Sequence, residues 1–254
     1  MPHLRLRTIV ALLVLVTTVP LAVLASWVAW RSWRQQQALV DRQNVEQARA
    51  IGVAIDQEIE RTIAALNVLT LVEPIDDADR TRFTAIASRM LPLHESWHSI
   101  QLIGPSVEIL ATTEPPRAGR IILNPDWVQT IFAAGKPAVS TARRDVDSGR
   151  WVVNIGVPIR RHGAVRYVLN ARLYTQAFSE ILARQTAPPG GVLAVLDATP
   201  AIIARTRNEE RYLGTPASPD FMEHSRAAAS GTFRSRMLEG TPSYSAWSRS
   251  ESVV

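Results

Sequence analysis

WVVNIGVPIRRHGAVRYVLNARLY, residues 151–174, is the stretch on which the fold turns. Trp151, Val153, Ile155 and Val157 alternate with Val152, Asn154 and Gly156. After Arg160-Arg161-His162-Gly163, a second alternation sets Val165, Tyr167, Leu169, Ala171 and Leu173 against Arg166, Val168, Asn170, Arg172 and Tyr174. Successive side chains of a strand point to opposite faces, so the pattern predicts two antiparallel strands of one sheet. One face of that sheet is apolar and the other mixed. The mixed face carries Asn154, Asn170 and Arg172, residue types suited to lining a ligand cavity.

Working outward, Ser99–Ile103 and Val107–Thr112 read as strands around Gly104-Pro105-Ser106, and Trp127–Gly135 as a short helix stopped by Gly135 with Pro137 behind it. A helix from about Thr175 to Gln185 leads to Pro188-Pro189-Gly190-Gly191, the clearest internal boundary. A smaller version of the same order follows. Val192–Leu196 and Ile202–Thr206 are expected strands, Pro219–Ala229 a helix, and Thr232–Leu238 with Ser243–Arg249 a hairpin about Glu239-Gly240.

Toward the N-terminus, residues 34–72 hold no proline, and Ile51, Ile55, Ile59, Ile63, Leu66 and Leu69 recur at three- and four-residue spacing. This is one apolar face of a long helix, which serves to cover the sheet, to form a dimer seam, or both. Glu73-Pro74 is expected to end it, and a second helix runs from about Asp79 to Leu91. Thr8–Trp30 carries no charge, and a bilayer-spanning helix needs about 20 apolar residues. Trp27, Trp30 and Trp33 crowd its end, where indoles favour the headgroup region. The expectation is an uncleaved membrane anchor; the competing reading is a signal peptide cleaved near Val23-Leu24-Ala25. The expected parts are a cytoplasmic N-terminus (1–7), a transmembrane helix (8–30), a stalk helix (31–72), a membrane-distal lobe (73–187) and a membrane-proximal lobe (188–254) cut short at its last strand.

The 254 residues contain no cysteine, which excludes disulfides, thiolate metal sites, Fe–S clusters and Cys nucleophiles. Of the 28 basic residues all but Lys136 are arginine, and the net charge of +5 is spread among acids rather than gathered in a stripe, so nucleic acid is not an expected partner. His94-Glu95-Ser96-Trp97-His98 matches H-E-x-x-H, in which two histidines one helical turn apart bind zinc. That chemistry requires a helix, whereas Pro92 interrupts just before His94 and strand residues begin at Ser99. No G-x-S-x-G, P-loop or Rossmann fingerprint is present. No cofactor or metal is expected.

Taken in order, Trp97-His98-Ser99-Ile100-Gln101-Leu102, Trp127 with Ala133-Ala134-Gly135-Lys136-Pro137-Ala138-Val139-Ser140, Trp151 through Pro158, Val195-Leu196-Asp197, Ile203-Ala204-Arg205-Thr206 and Tyr212-Leu213-Gly214 resemble the double Cache (PDC-like) extracytoplasmic sensor module of bacterial histidine kinases, diguanylate cyclases and chemoreceptors. The resemblance covers about residues 35–250. It implies an α+β fold: a transmembrane helix, a long stalk helix and two PAS-like antiparallel-sheet lobes.

It also implies that a small ligand binds the first lobe, between the sheet and the loops covering it. Amino-acid receptors of this kind place an Arg two residues before the helix Trp and a Tyr after it. Here Pro125 and Val128 stand at those positions and only Trp127 fits. Where an acidic residue would meet an ammonium group, this chain has Asn170 and Arg172. Arg172 suits a carboxylate or other anion, because a guanidinium donates two parallel hydrogen bonds; a salt bridge is the alternative. Arg143, Arg144 and Asp145 are placed in a loop, as a lid or a solvated charge cluster. The candidate ligand-binding residues are therefore Trp127, Arg143, Asp145, Asn154, Asn170 and Arg172, with no catalytic residue.

The function expected is the ligand-sensing part of an inner-membrane, single-pass receptor with periplasmic lobes, dimeric through its stalk, a sensor histidine kinase whose output domain is absent from this chain. A membrane-anchored zinc metalloprotease and a tethered binding protein without signalling output are the alternatives.

Overall fold

The structure, a computed structural model, describes residues 6–71, 80–114 and 125–250, with the backbone alone for residues 6–14, 17, 22 and 38. Its helices are α1 (Leu6–Thr70), α2 (Arg80–Met90), α3 (Asp126–Ala134), α4 (Gln176–Ala183), α5 (Glu209–Tyr212) and α6 (Pro219–Ala227). Its strands are β1 (Trp97–Ile103), β2 (Ile109–Thr112), β3 (Ala138–Val139), β4 (Arg143–Arg144), β5 (Trp151–Arg161), β6 (Ala164–Tyr174), β7 (Ala194–Leu196), β8 (Ile202–Arg205), β9 (Ser230–Arg236) and β10 (Pro242–Ser248).

The chain forms two compact units, Met1–Gln47 and Ala48–Val254. The first is built of α1. The expected anchor at 8–30 falls here, yet among the described residues no helix is long and apolar enough to cross a membrane. Seven of the anchor's side chains, at 8–14, and those at 17 and 22 lie outside them.

The second unit is organised by the β5–β6 hairpin. His162 and Gly163 both have positive φ (52° and 83°), the conformation of a two-residue turn whose twist matches antiparallel strands. The sheet order is β2-β1-β6-β5-β3, with β4 also on β5. Val153↔Leu173, Ile155↔Ala171 and Val157↔Leu169 pair across β5 and β6, and Ile100 and Leu102 of β1 continue the rows on β6. This apolar face packs on α1 through Ile51, Ile55, Ile59, Leu66 and Leu69, on α2 through Phe83 and Ala87, and on α4 through Phe178 and Leu182. Each fully buried Leu, Ile or Phe contributes about 1.5–3 kcal/mol, which makes this interface the dominant support of the lobe. Trp97 extends it, its Nε1 donating to Thr62 Oγ1 at 3.3 Å. The helix stripe and the strand alternation are thus two sides of one core.

α3 packs on part of the opposite face. Val128 and Ile131 of α3 join Ile103, Val107 and Val168 in a second apolar cluster. Gly156 makes the approach possible: a Cβ there would lie 2.6 Å from Ile131 Cδ1 and 2.7 Å from Trp127 Cζ3. Gly135 ends α3 in the left-handed conformation, its N–H donating to Ile131 O.

Two expectations are corrected. Arg143 and Arg144 are not loop residues but a short strand paired with Val152 and Trp151. The second lobe is not one sheet: β7–β8 and β9–β10 are separate two-stranded sheets. In the first lobe β6 joins β1 to β5, and no described residue plays that part in the second. Its core is instead continuous with the first through Ile203 and Ala204, while Phe221, Phe233 and Trp247 cluster at the far hairpin. α6 is capped by Ser218, whose Oγ accepts from Phe221 N, with Pro219 in the first turn.

The lobes meet at named atoms. Asp197 Oδ2 accepts from Ala142 N at 3.0 Å, while its Oδ1 accepts from the N–H groups of Thr199 and Ala201. Trp151 stacks its ring edge against Gly214, where φ is +75°.

Candidate functional site

Three polar layers cross the mixed face. In the first, Asn170 of β6 stands opposite Gln101 of β1 and Gly156 of β5. Its Nδ2 donates to Gln101 Oε1 (3.1 Å) and Asn154 Oδ1 (3.2 Å). Asn154 Nδ2 donates onward to Ser140 Oγ (3.1 Å), which itself donates to Thr141 O. Trp127 is half-buried beside this layer, over Gly156.

Arg172 makes the second layer, opposite Asn154 and Ser99. Its Nη1 donates to Glu114 Oε2 at 2.8 Å and its Nη2 to Asp145 Oδ1 at 2.6 Å. The Arg172 side chain is 7% exposed and that of Asp145 1%. Asp145 Oδ2 takes two further bonds, from Ser148 N and Ser148 Oγ. The guanidinium fork is therefore closed by two carboxylates, and the salt-bridge alternative for Arg172 is the one the structure forms. Asp145 is buried, so it is not part of a solvated charge cluster.

In the third layer His98 Nε2 lies 2.6 Å from Glu114 Oε1 and its ring lies on Tyr174, centroids 4.4 Å apart. Arg150 covers Tyr174 at 3.5 Å from the ring centre. A register shift between Trp97 and Ser99 accompanies this turn of His98 toward Tyr174. Arg143 presents a buried Nε with no hydrogen-bond partner.

His98, Glu114 and Asp145 offer atoms within 4.8 Å of one another, a spacing open to a metal ion. Arg172, however, is bonded to both carboxylates, so a cation would have to displace a buried guanidinium. The H-E-x-x-H segment does not supply the helix zinc chemistry needs. His94 follows a 3-10 turn and stacks on Trp97 at 4.0 Å, whereas His98 lies in β1.

Of the residues singled out in the sequence, Asn154, Asn170, Arg172 and Asp145 share one bonded face, and Trp127 borders it. Arg143 lies on β4 two residues before Asp145. Ser99, Gln101 and Tyr174 were within reach of the alternation rule; His98 and Glu114 were not.

No family model and no curated protein matches the chain. Among solved structures, the extracellular domain of the candidate histidine kinase rpHK1S-Z16 superposes with a TM-score of 0.71 at 12% identity, covering 85% of this chain and 92% of that one. The fold is that of a double Cache sensor domain. The sensor domain of the Vibrio cholerae histidine kinase DctB gives 0.60 at 11% identity, covering 84% and 92%. The isoleucine-bound sensory domain of the Campylobacter jejuni chemoreceptor Tlp3 gives 0.59 at 12%, covering 78% and 83%. The double Cache resemblance read from the sequence therefore holds for the fold.

Proposed function

We propose that this chain is the extracytoplasmic ligand-sensing portion of a membrane-bound bacterial receptor, and that its ligand binds over the mixed face of the first lobe. The observation that carries this is the buried Arg172–Asp145–Glu114 network. Replacing a buried ionic group by apolar residues of similar volume is commonly neutral or stabilising, so stability alone is a weak reason for a charged layer on a core sheet, and a ligand-facing role accounts for it better. The likeness to sensory domains of kinases and chemoreceptors supports the same reading.

In this account residues 8–30 anchor the chain in the inner membrane with the lobes periplasmic, α1 forms the dimer seam, and the output is a histidine kinase. Ligand binding shifts the balance between two arrangements of the lobes by as much as it prefers one of them. β4 supplies the physical link: Ala142 N, just before it, is held by Asp197 of the second lobe, and Asp145, just after it, by Arg172. The chain itself performs no reaction.

The test is thermal unfolding of the full chain in lipid nanodiscs against a panel of organic acids, amino acids, amines and alcohols. Saturable stabilisation by at least one compound, weakened by Arg172→Lys, is expected. A panel without effect contradicts the reading. Fusions of alkaline phosphatase after residue 72 should be active; inactive fusions contradict the placement of the lobes.

A further inference from the structure

The first polar layer has a direction. Ser140 Oγ gives its proton to Thr141 O, so it can only accept from Asn154, and it does so from both the backbone N and Nδ2 (2.9 and 3.1 Å). That leaves Asn154 Oδ1 as an acceptor for Asn170 Nδ2, whose second proton goes to Gln101 Oε1. Turning the Asn170 amide over would face its oxygen to two other amide oxygens and lose both bonds. The orientation is thus fixed from the backbone outward, and the unpaired end of the row is an acceptor, Asn170 Oδ1. Asn170 is fully buried, and this oxygen has no hydrogen-bond partner.

A second atom agrees with it. Ser99 is also fully buried, and its Oγ has no partner. Gln101↔Asn170 and Ser99↔Arg172 are successive same-face pairs of β1 and β6, so Ser99 and Asn170 are diagonal neighbours on the mixed face. Two unpaired polar groups beside a sheet network are costly in an empty protein, because a buried acceptor without a donor retains its desolvation penalty. The one guanidinium at the centre of the face, Arg172, is already held by Glu114 and Asp145.

We propose that Asn170 Oδ1 and Ser99 Oγ form a subsite for a hydrogen-bond donor of the ligand, an ammonium N–H or a hydroxyl O–H, and that Arg172 positions Glu114 and Asp145 instead of receiving a ligand carboxylate. This rests on the mixed face being the ligand site. It reverses the polarity expected from the sequence, where Arg172 selected an anion. The indole of Trp127, over Gly156 and so next to the Asn170 row, borders the same subsite.

A matched four-carbon series tests it: butyrate, succinate, 4-hydroxybutyrate and 4-aminobutyrate, titrated against the full chain in nanodiscs with thermal unfolding as the readout. A donor-bearing member should act at a concentration about tenfold below butyrate and succinate, the factor that corresponds to 1.4 kcal/mol. Which of the two donors leads distinguishes ammonium from hydroxyl. Ser99→Ala should close the gap to within about twofold without lowering the unliganded unfolding temperature, and should raise it if anything, since the hydroxyl has no partner to lose and its desolvation cost is removed. Butyrate or succinate acting as strongly as the donors, or a gap that survives Ser99→Ala, overturns the inference. If any donor-free compound of the wider panel stabilises the chain as well as its donor-bearing analogue, the donor subsite is refuted while the sensing reading stands. If no compound acts at all, both are contradicted.

Discussion

Nη2 of Arg172 donates to Oδ1 of Asp145 across 2.6 Å, tying the final strand of the first-lobe sheet to the residue that follows β4. Both side chains are almost fully enclosed. Removing one member of such a pair strands the other charge in a low-dielectric site, at a cost of about 3–5 kcal/mol. Asp145→Ala should therefore destabilise the chain by about 3 kcal/mol in urea unfolding, since Glu114 still holds the guanidinium. The double variant Asp145→Ala with Arg172→Met should be less destabilised than the two singles added together. Additive losses would mean that the pair is not coupled.

The joint between the lobes is a contact of shape. A methyl group at Gly214 would sit 1.9 Å from Trp151 Cη2, and φ there is +75°, a region that favours glycine. Gly214→Ala should lose about 2–4 kcal/mol from overpacking and backbone strain combined. Adding Trp151→Leu should recover the packing part and leave the backbone part. An unchanged unfolding temperature in Gly214→Ala would show that Trp151 does not seat there.

Asp197 makes the polar half of the same joint. Asp197→Ala removes the acceptor for Ala142 N and for the turn residues Thr199 and Ala201. Amide hydrogen exchange should quicken in peptides covering residues 138–145 and 197–203, while the β5–β6 hairpin stays protected. Faster exchange in the second lobe alone would mean that β4 does not depend on this carboxylate.

Glu239 gives the protein a defined acid response. Burial pushes its carboxyl up, but its own backbone N–H, the hydrogen bond and charge of Arg205, and the Asn208 side chain outweigh this and hold it below its ordinary value. A carboxyl lowered in the folded state binds protons more readily when unfolded. Its contribution is therefore complete above the ordinary carboxylate value of about 4.3 and is lost as the pH falls through the lower folded value. Glu239→Gln should reduce the loss of stability across that acid window and leave its slope near pH 7 unchanged. Wild type and variant falling in parallel would exclude Glu239 as a contributor.

Much of the first lobe was legible because its sheet buries one whole face, which writes a period-two pattern over residues 151–174, and because α1 answers with Ile51, Ile55 and Ile59 at helical spacing. Local rules also carried α3, with its glycine stop at Gly135. The parts that stayed hidden depend on distant partners. β4 is two residues long and exists because Val152 and Trp151 accept it. The burial of Asp145 depends on Arg172, 27 positions away, and the saturation of Arg172 on Glu114, 58 positions away. The bulge that turns His98 toward Tyr174 leaves no mark on the alternation. The second lobe showed its two hairpins but not their separation, since whether hairpins merge is decided by a joining strand rather than by either hairpin.

The central claim is that a ligand occupies the mixed face of the first lobe. Hydrogen–deuterium exchange of the full chain in nanodiscs, with and without the compound that stabilises it most, tests this directly. Slower exchange is expected over residues 126–134, 140–145 and 168–174, the segments that carry Trp127, Asp145, Asn170 and Arg172. Protection confined to residues 192–248, with the first lobe unchanged, would contradict it.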